Sequence, residues 1–120
     1  MKNILAIFLL LTFSISSHGQ IPKNGTYEYK IAFAESPNMR NNKADCKVII
    51  NGNKIKVIYI GNNLSGTKKG DIIDEGLILK HKSGKWIIGR KEADKELDEI
   101  GGCTDGPREI DFENKTFWMC

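Results

Sequence analysis

Hydrophobic and polar residues alternate most clearly between positions 44 and 61, ADCKVIINGNKIKVIYIG. Two runs rich in β-branched residues flank Asn51, Gly52 and Asn53. Asn-Gly tolerates the positive φ angles that a tight hairpin turn demands. The pattern predicts a β-hairpin. Cys46, Val48 and Ile50 share one face of its first strand, and Ile55, Val57 and Tyr59 share one face of its second. Ile58 and Ile60 interrupt the polar face of that second strand, which calls for cover from a loop or helix.

The flanking segments read in the same way. Residues 26–34, TYEYKIAFA, alternate strictly: Tyr27, Tyr29, Ile31 and Phe33 lie on one face, Glu28, Lys30 and Ala32 on the other. Period two predicts a strand with one buried face. Two long polar loops follow, at 35–43 and 61–70, and loops of this kind often carry function. Residues 71–82 hold Ile72-Ile73, a break at 74–76 and a second apolar run from Leu77; Gly76 predicts a tight turn or a bulge. Ser83-Gly84 predicts another hairpin turn. Residues 91–100, KEADKELDEI, are the one helical pattern, with Ala93, Leu97 and Ile100 at i, i+4 and i+7 and a cap available from Gly101-Gly102. A last hairpin turns about Glu113 and Asn114. Ile110 and Phe112 share one face there, as do Phe117 and Met119, while Trp118 and Cys120 lie opposite. About six to eight short strands with local connections predict a mainly β fold. The expected form is a small antiparallel meander barrel, or a strongly curled sheet, with one short helix; a two-layer α+β sheet is the alternative.

The N-terminus changes the picture from fold to compartment. Lys2 precedes an apolar run at 4–13, and Ser17 and Gly19 fit the −3 and −1 positions of a signal-peptidase site. The expectation is a secretory signal peptide over 1–19, cleaved before Gln20, and one small β-rich domain over 20–120. The apolar run is shorter than the about 20 residues that span a bilayer, so no stable membrane anchor is expected. The localisation that follows is secreted or periplasmic. The full chain has a net charge of +3; Lys2 carries one of these charges, which leaves +2 after cleavage. Basic and acidic residues are interspersed, which argues against a nucleic-acid surface.

The three cysteines are Cys46, Cys103 and Cys120. An oxidising compartment allows one bridge and leaves one thiol over. Cys103 with Cys120 is the favoured pair, because it staples the last hairpin to the loop before it; Cys46 with Cys120 is the rival. Cys46 is then a small buried hydrophobe.

Candidate chemistry is sparse. Gly61 and Gly66 have phosphate-loop spacing, but Thr67-Lys68 reverses the required Gly-Lys-Ser/Thr order and a strand follows, so a solvated loop is expected. Asp71, Asp74 and Glu75, and the group Asp94, Glu96, Asp98, Glu99 and Asp105, lack the spacing of a calcium loop. His81 is the only histidine after the signal peptide, with no evident orienting partner, and reads as a turn-proximal residue. Neither a cofactor nor a metal site is indicated. Sequons at Asn24, Asn63 and Asn114 matter only in a glycosylating host.

The aromatic residues are the distinctive set. Tyr27, Tyr29, Phe33, Tyr59 and Trp86 would line a pocket for an apolar ligand if a barrel left room; otherwise they are core. Trp118 lies off the Phe117 face and is a candidate anchor for a protein partner. The function expected first is therefore a secreted, non-enzymatic binding or interaction domain with a protein partner. A small apolar-ligand carrier with a lipocalin-like barrel is the alternative, and a small hydrolase using Cys46 or His81 is third.

Overall fold

A computed structural model describes residues 20–36, 44–61 and 64–120. The expected signal peptide, most of the loop at 35–43 and the sequon at Asn63 lie outside the described residues. Seven strands follow in order: β1 (Gly25–Phe33), β2 (Cys46–Asn51), β3 (Lys54–Tyr59), β4 (Ile72–Lys80), β5 (Trp86–Gly89), β6 (Arg108–Asp111) and β7 (Thr116–Met119). Each pairs antiparallel with the next, and β7 closes the barrel on β1. An up-and-down meander with an odd number of strands must close with a parallel pair, and β1 and β7 are parallel, with Ile31 beside Phe117. Closure leaves no unpaired sheet edge. The fold is thus the small meander barrel that the alternation predicts, and the two-layer alternative is not adopted.

The central hairpin turns on Gly52 and Asn53, with Asn51 and Lys54 as its last pair. Gly52 has φ +66 and Asn53 does not share the positive φ. Glycine at the first turn position is the type II′ arrangement, whose twist matches the flanking strands. Asn24 reaches over from the leader, its Oδ1 accepting the Gly52 N–H at 2.7 Å.

Side chains fill the barrel interior. Tyr29 and Ile31 enter from β1, Cys46, Val48 and Ile50 from β2, and Ile55, Val57 and Tyr59 from β3. Ile78, Ile88, Ile110 and Phe117 complete the core from the remaining strands. Ile21, Tyr27, Trp86 and Phe112 are among the half-buried residues packed against it. This matches the faces read from the alternation in β1, β2, β3, β6 and β7. Ile58 stays half-buried on the outer wall beside Ile72, which is 50% exposed, so cover there is partial.

β4 is one continuous strand. The irregularity lies opposite Val57 and Ile58, where the β3–β4 register shifts. Gly76 makes no turn. A Cβ at this position would collide with the Gly89 carbonyl oxygen, so glycine lets β4 and β5 approach.

The expected helix over 91–100 is the main correction. Only a 3₁₀ turn, Glu92–Glu96, forms. Leu97 is 39% exposed, and the residue the turn buries is Asp94, not Ala93. Asp94 Oδ2 accepts the Arg90 N–H at 2.7 Å and the Lys91 N–H at 3.3 Å, which fixes the start of the turn. An apolar face of Ala93, Leu97 and Ile100 buries too little to drive a longer helix. Instead the segment folds back over the outer wall of β4 and β5, where Leu79 and Ile87 pair and are buried. His81 ties it down: Nε2 lies 2.6 Å from the Leu97 carbonyl oxygen, and Nδ1 accepts the Ser83 N–H at 3.1 Å. Cys103 and Cys120 form the disulfide, with Cα atoms 4.7 Å apart and a sequence separation of 17.

Candidate functional site

The strands β1, β3, β5 and β7 start at one end of the barrel, and that end carries Trp86 and Phe112 at the edge of the core. Trp86 begins β5 and Phe112 follows β6, and their ring centroids are 5.7 Å apart with planes tilted by 58°. Both are half-buried. Ile110 points inward and pairs with Phe117, so alternation places Glu109, Asp111 and Trp118 on the outer wall. A groove of about 740 Å³ runs from the Trp86–Phe112 rim to this wall, bounded also by Gln20, Pro22, Lys85 and Glu113. A second cleft, of about 230 Å³, shares Trp118 and Asp111 with it and continues past Lys30 and Thr116.

Charge in the groove is arranged. Lys85 Nζ lies 3.5 Å from Glu109 Oε1. Asp111 accepts the Asn114 backbone N–H and side-chain N–H, each at 2.9 Å, which holds its carboxylate at the turn between β6 and β7. Lys80 Nζ sits 5.1 Å from the centroid of the Trp86 ring, a cation–π contact.

The opposite end carries a different group. Asp74 on β4 turns a buried carboxylate towards Arg90, just beyond β5, and Arg108, which begins β6. Arg90 Nη2 is 3.5 Å from Asp74 Oδ1 and Arg108 Nη1 is 3.6 Å from Oδ2. Burial pushes the Asp74 carboxyl above its ordinary value, against the two guanidinium groups and the Glu75 N–H, which pull it down. These residues border a cleft of about 410 Å³ roofed by Gly102, Thr104 and Cys120. Arginines here also brace the backbone: Arg90 Nη1 donates to the Glu75 carbonyl and Arg108 Nη1 to the Ile73 carbonyl. The cluster therefore has a structural employment, and Asp74, Asp94 and Asp105 all border the cleft beside its two cations.

The sequence candidates are placed as follows. Tyr29 and Tyr59 are each 1% exposed within the filled core, so neither offers a face to a ligand. Tyr27 and Phe33 pack at the ends of that core. Trp86 alone of that set lines the groove, and it does so together with Trp118, which alternation had assigned to a separate role. Of the acidic residues in the groove, Glu109 and Asp111 are alternate residues of β6, and Glu113 stands in the turn that follows it.

Cys46 is buried, donates its S–H towards the Tyr29 carbonyl at 3.6 Å, and has its thiol pushed up to about 12 by burial and then by Asp45. It is a thiol at neutral pH and not a nucleophile. Both ring nitrogens of His81 serve the turn and the 3₁₀ segment, so it is turn-proximal as expected. The acidic clusters disperse. Asp94 caps backbone, Asp98 pairs with Lys82 and Glu92 with Lys95, while Asp71 accepts the Lys68 N–H. Glu35, Cys103 and Cys120 bring three ligand-type atoms within 4.8 Å, but the disulfide leaves no thiolate there. The glycine-rich loop runs into strand β4, not into a helix.

No family model, curated protein or solved structure matches this chain.

Proposed function

We propose that this protein is a secreted or periplasmic, non-enzymatic interaction domain, exported by a signal peptide over 1–19, that holds its partner in the Trp86–Trp118 groove. The observation that carries this reading is the gathering of both tryptophans of the chain on one groove, beside Phe112. Tryptophan is favoured where interfaces concentrate their energy, since one ring buries a large apolar area with few rotamers to fix. Export fits the Cys103–Cys120 disulfide, which persists in oxidising compartments. Among the described residues no helix is long and apolar enough to cross a membrane. A binding role also fits the state of the two candidate catalytic groups, since the Cys46 thiol is held neutral and His81 is committed to backbone contacts.

A photo-crosslinking residue placed at Glu113, and separately at Lys47 as an outer-wall control, tests this in the protein exported by its own host. A discrete adduct from position 113 and none from position 47 is expected. Equal adducts from both, or none from 113, would overturn the groove as the binding site.

A further inference from the structure

The chain has two Asn-Gly pairs, Asn24-Gly25 in the leader and Asn51-Gly52 at the tip of the central hairpin. One hydrogen bond joins them: Asn24 Oδ1 accepts the Gly52 N–H at 2.7 Å, across a sequence separation of 28. All four residues are exposed to water.

An asparagine followed by glycine is prone to lose its side-chain amide in water. At this turn the Gly52 backbone nitrogen would give up its proton and attack Asn51 Cγ. A C–N bond forms, the Cγ–Nδ2 bond breaks, and ammonia leaves with that proton. Water then opens the cyclic imide at either carbonyl, to aspartate or to isoaspartate. The sum is amide plus water to acid plus ammonia, with no oxidant or reductant. Glycine favours the attack because it has no Cβ to crowd the nitrogen.

Here the attacking atom is engaged. The Gly52 N–H must leave Asn24 Oδ1 before its nitrogen can turn on the Asn51 side chain. The acceptor comes from outside the hairpin: the leader brings Asn24 to the turn because Gly25 pairs with Ile50. The turn is held on its other flank as well, where the Asn53 carbonyl oxygen accepts the Ile78 N–H at 2.7 Å.

We propose that Asn51 is a deamidation site held shut by the side chain of Asn24. The leader, besides bordering the groove, thereby sets the lifetime of the central turn. Isoaspartate at position 51 reroutes the main chain through the side-chain carbon. It would disturb the Asn51–Lys54 pair and with it the β2–β3 register. This stands apart from whatever the groove binds.

The mature protein and its Asn24→Ala and Asn24→Asp variants are held in mildly alkaline buffer. Peptide mass spectra follow the mass gained at Asn51 as amide becomes acid. The parent is expected to react far more slowly in native buffer than in urea. Asn24→Ala speeds the native reaction about five-fold, the effect of one lost hydrogen bond. Asn24→Asp keeps an acceptor oxygen in place and keeps the slow rate of the parent. Amide exchange at Val57 in the core stays protected in both variants. An unchanged rate in Asn24→Ala, or equal acceleration in Asn24→Asp, overturns the proposal. Acceleration together with lost protection at Val57 also overturns it, because unfolding and not the freed N–H would be the cause. So does a parent that reacts as fast in native buffer as in urea, a comparison that needs no variant.

Discussion

Asp74 and Arg108 face each other at one end of the barrel, Oδ2 to Nη1 at 3.6 Å, with the carboxylate side chain 4% exposed and the arginine 42% exposed. The cation is largely solvated, so it repays little of the cost of burying the anion. Burial therefore wins and raises the Asp74 carboxyl. A raised carboxyl favours the fold in its protonated form, so its contribution is fully present below about pH 4 and is lost as pH rises through the raised value. Asp74→Asn removes that dependence. Urea midpoints of parent and variant are expected to coincide at low pH. Towards neutrality they separate in favour of the variant, whose amide stays neutral. A variant less stable than the parent at neutral pH would mean that the arginine contacts outweigh burial.

The Cys46 thiol is expected to resist alkylation in the native protein. It is buried and pushed up to about 12, so neither access nor thiolate is available at neutral pH. Iodoacetamide in denaturant without reductant should add a single label per chain, at Cys46, because Cys103 and Cys120 are bridged. Intact mass reads both results. Rapid native labelling would contradict the burial.

Replacing Cys103 and Cys120 together by serine should cost about 3 kcal/mol, the loop-closure entropy for a bridge over a short loop. The sequence separation of 17 sets that loop length. Urea denaturation of the double variant measures it. An unchanged midpoint would mean that the C-terminal strand is held without the bridge.

His81→Ala should release the segment after β5. It removes the contact to the Leu97 carbonyl and the acceptor for the Ser83 N–H, for a loss of about 2 kcal/mol. Hydrogen exchange is expected to speed up at Lys82 and Leu97, whose amides bond to Lys95 and Asp94, while Val57 in the core keeps its protection. Loss of protection throughout would make His81 a determinant of the barrel itself.

Much of this barrel was legible because local rules and global closure agree. Alternation placed Tyr29, Val48, Val57 and Phe117 inside, and Gly52 marked the turn that sets the central register. The bridge between Cys103 and Cys120 followed from their position around the last hairpin. The segment at 91–100 misled because its spacing is helical while its burial is not. Asp94, a polar residue, is what holds it, and side-chain capping of backbone leaves no hydrophobic period to read.

The groove was legible only in pieces. Trp86 and Trp118 carried separate expectations because they stand on different faces of different strands, on β5 and β7. Strand β6 lies between those two and joins the rim to the outer wall, and the leader at Gln20 and Pro22 adds a border from far away in sequence. Such a meeting depends on the closed strand order, which no local pattern states.

If one groove carries the binding, Trp86 and Trp118 must respond to the partner together. The pair of tryptophan indole N–H resonances of the isotope-labelled protein reads this, followed while concentrated medium or periplasmic extract from its own host is added. Both signals are expected to move along a single saturable curve. Movement of neither signal, while resonances elsewhere on the barrel shift, would place the binding surface away from the groove.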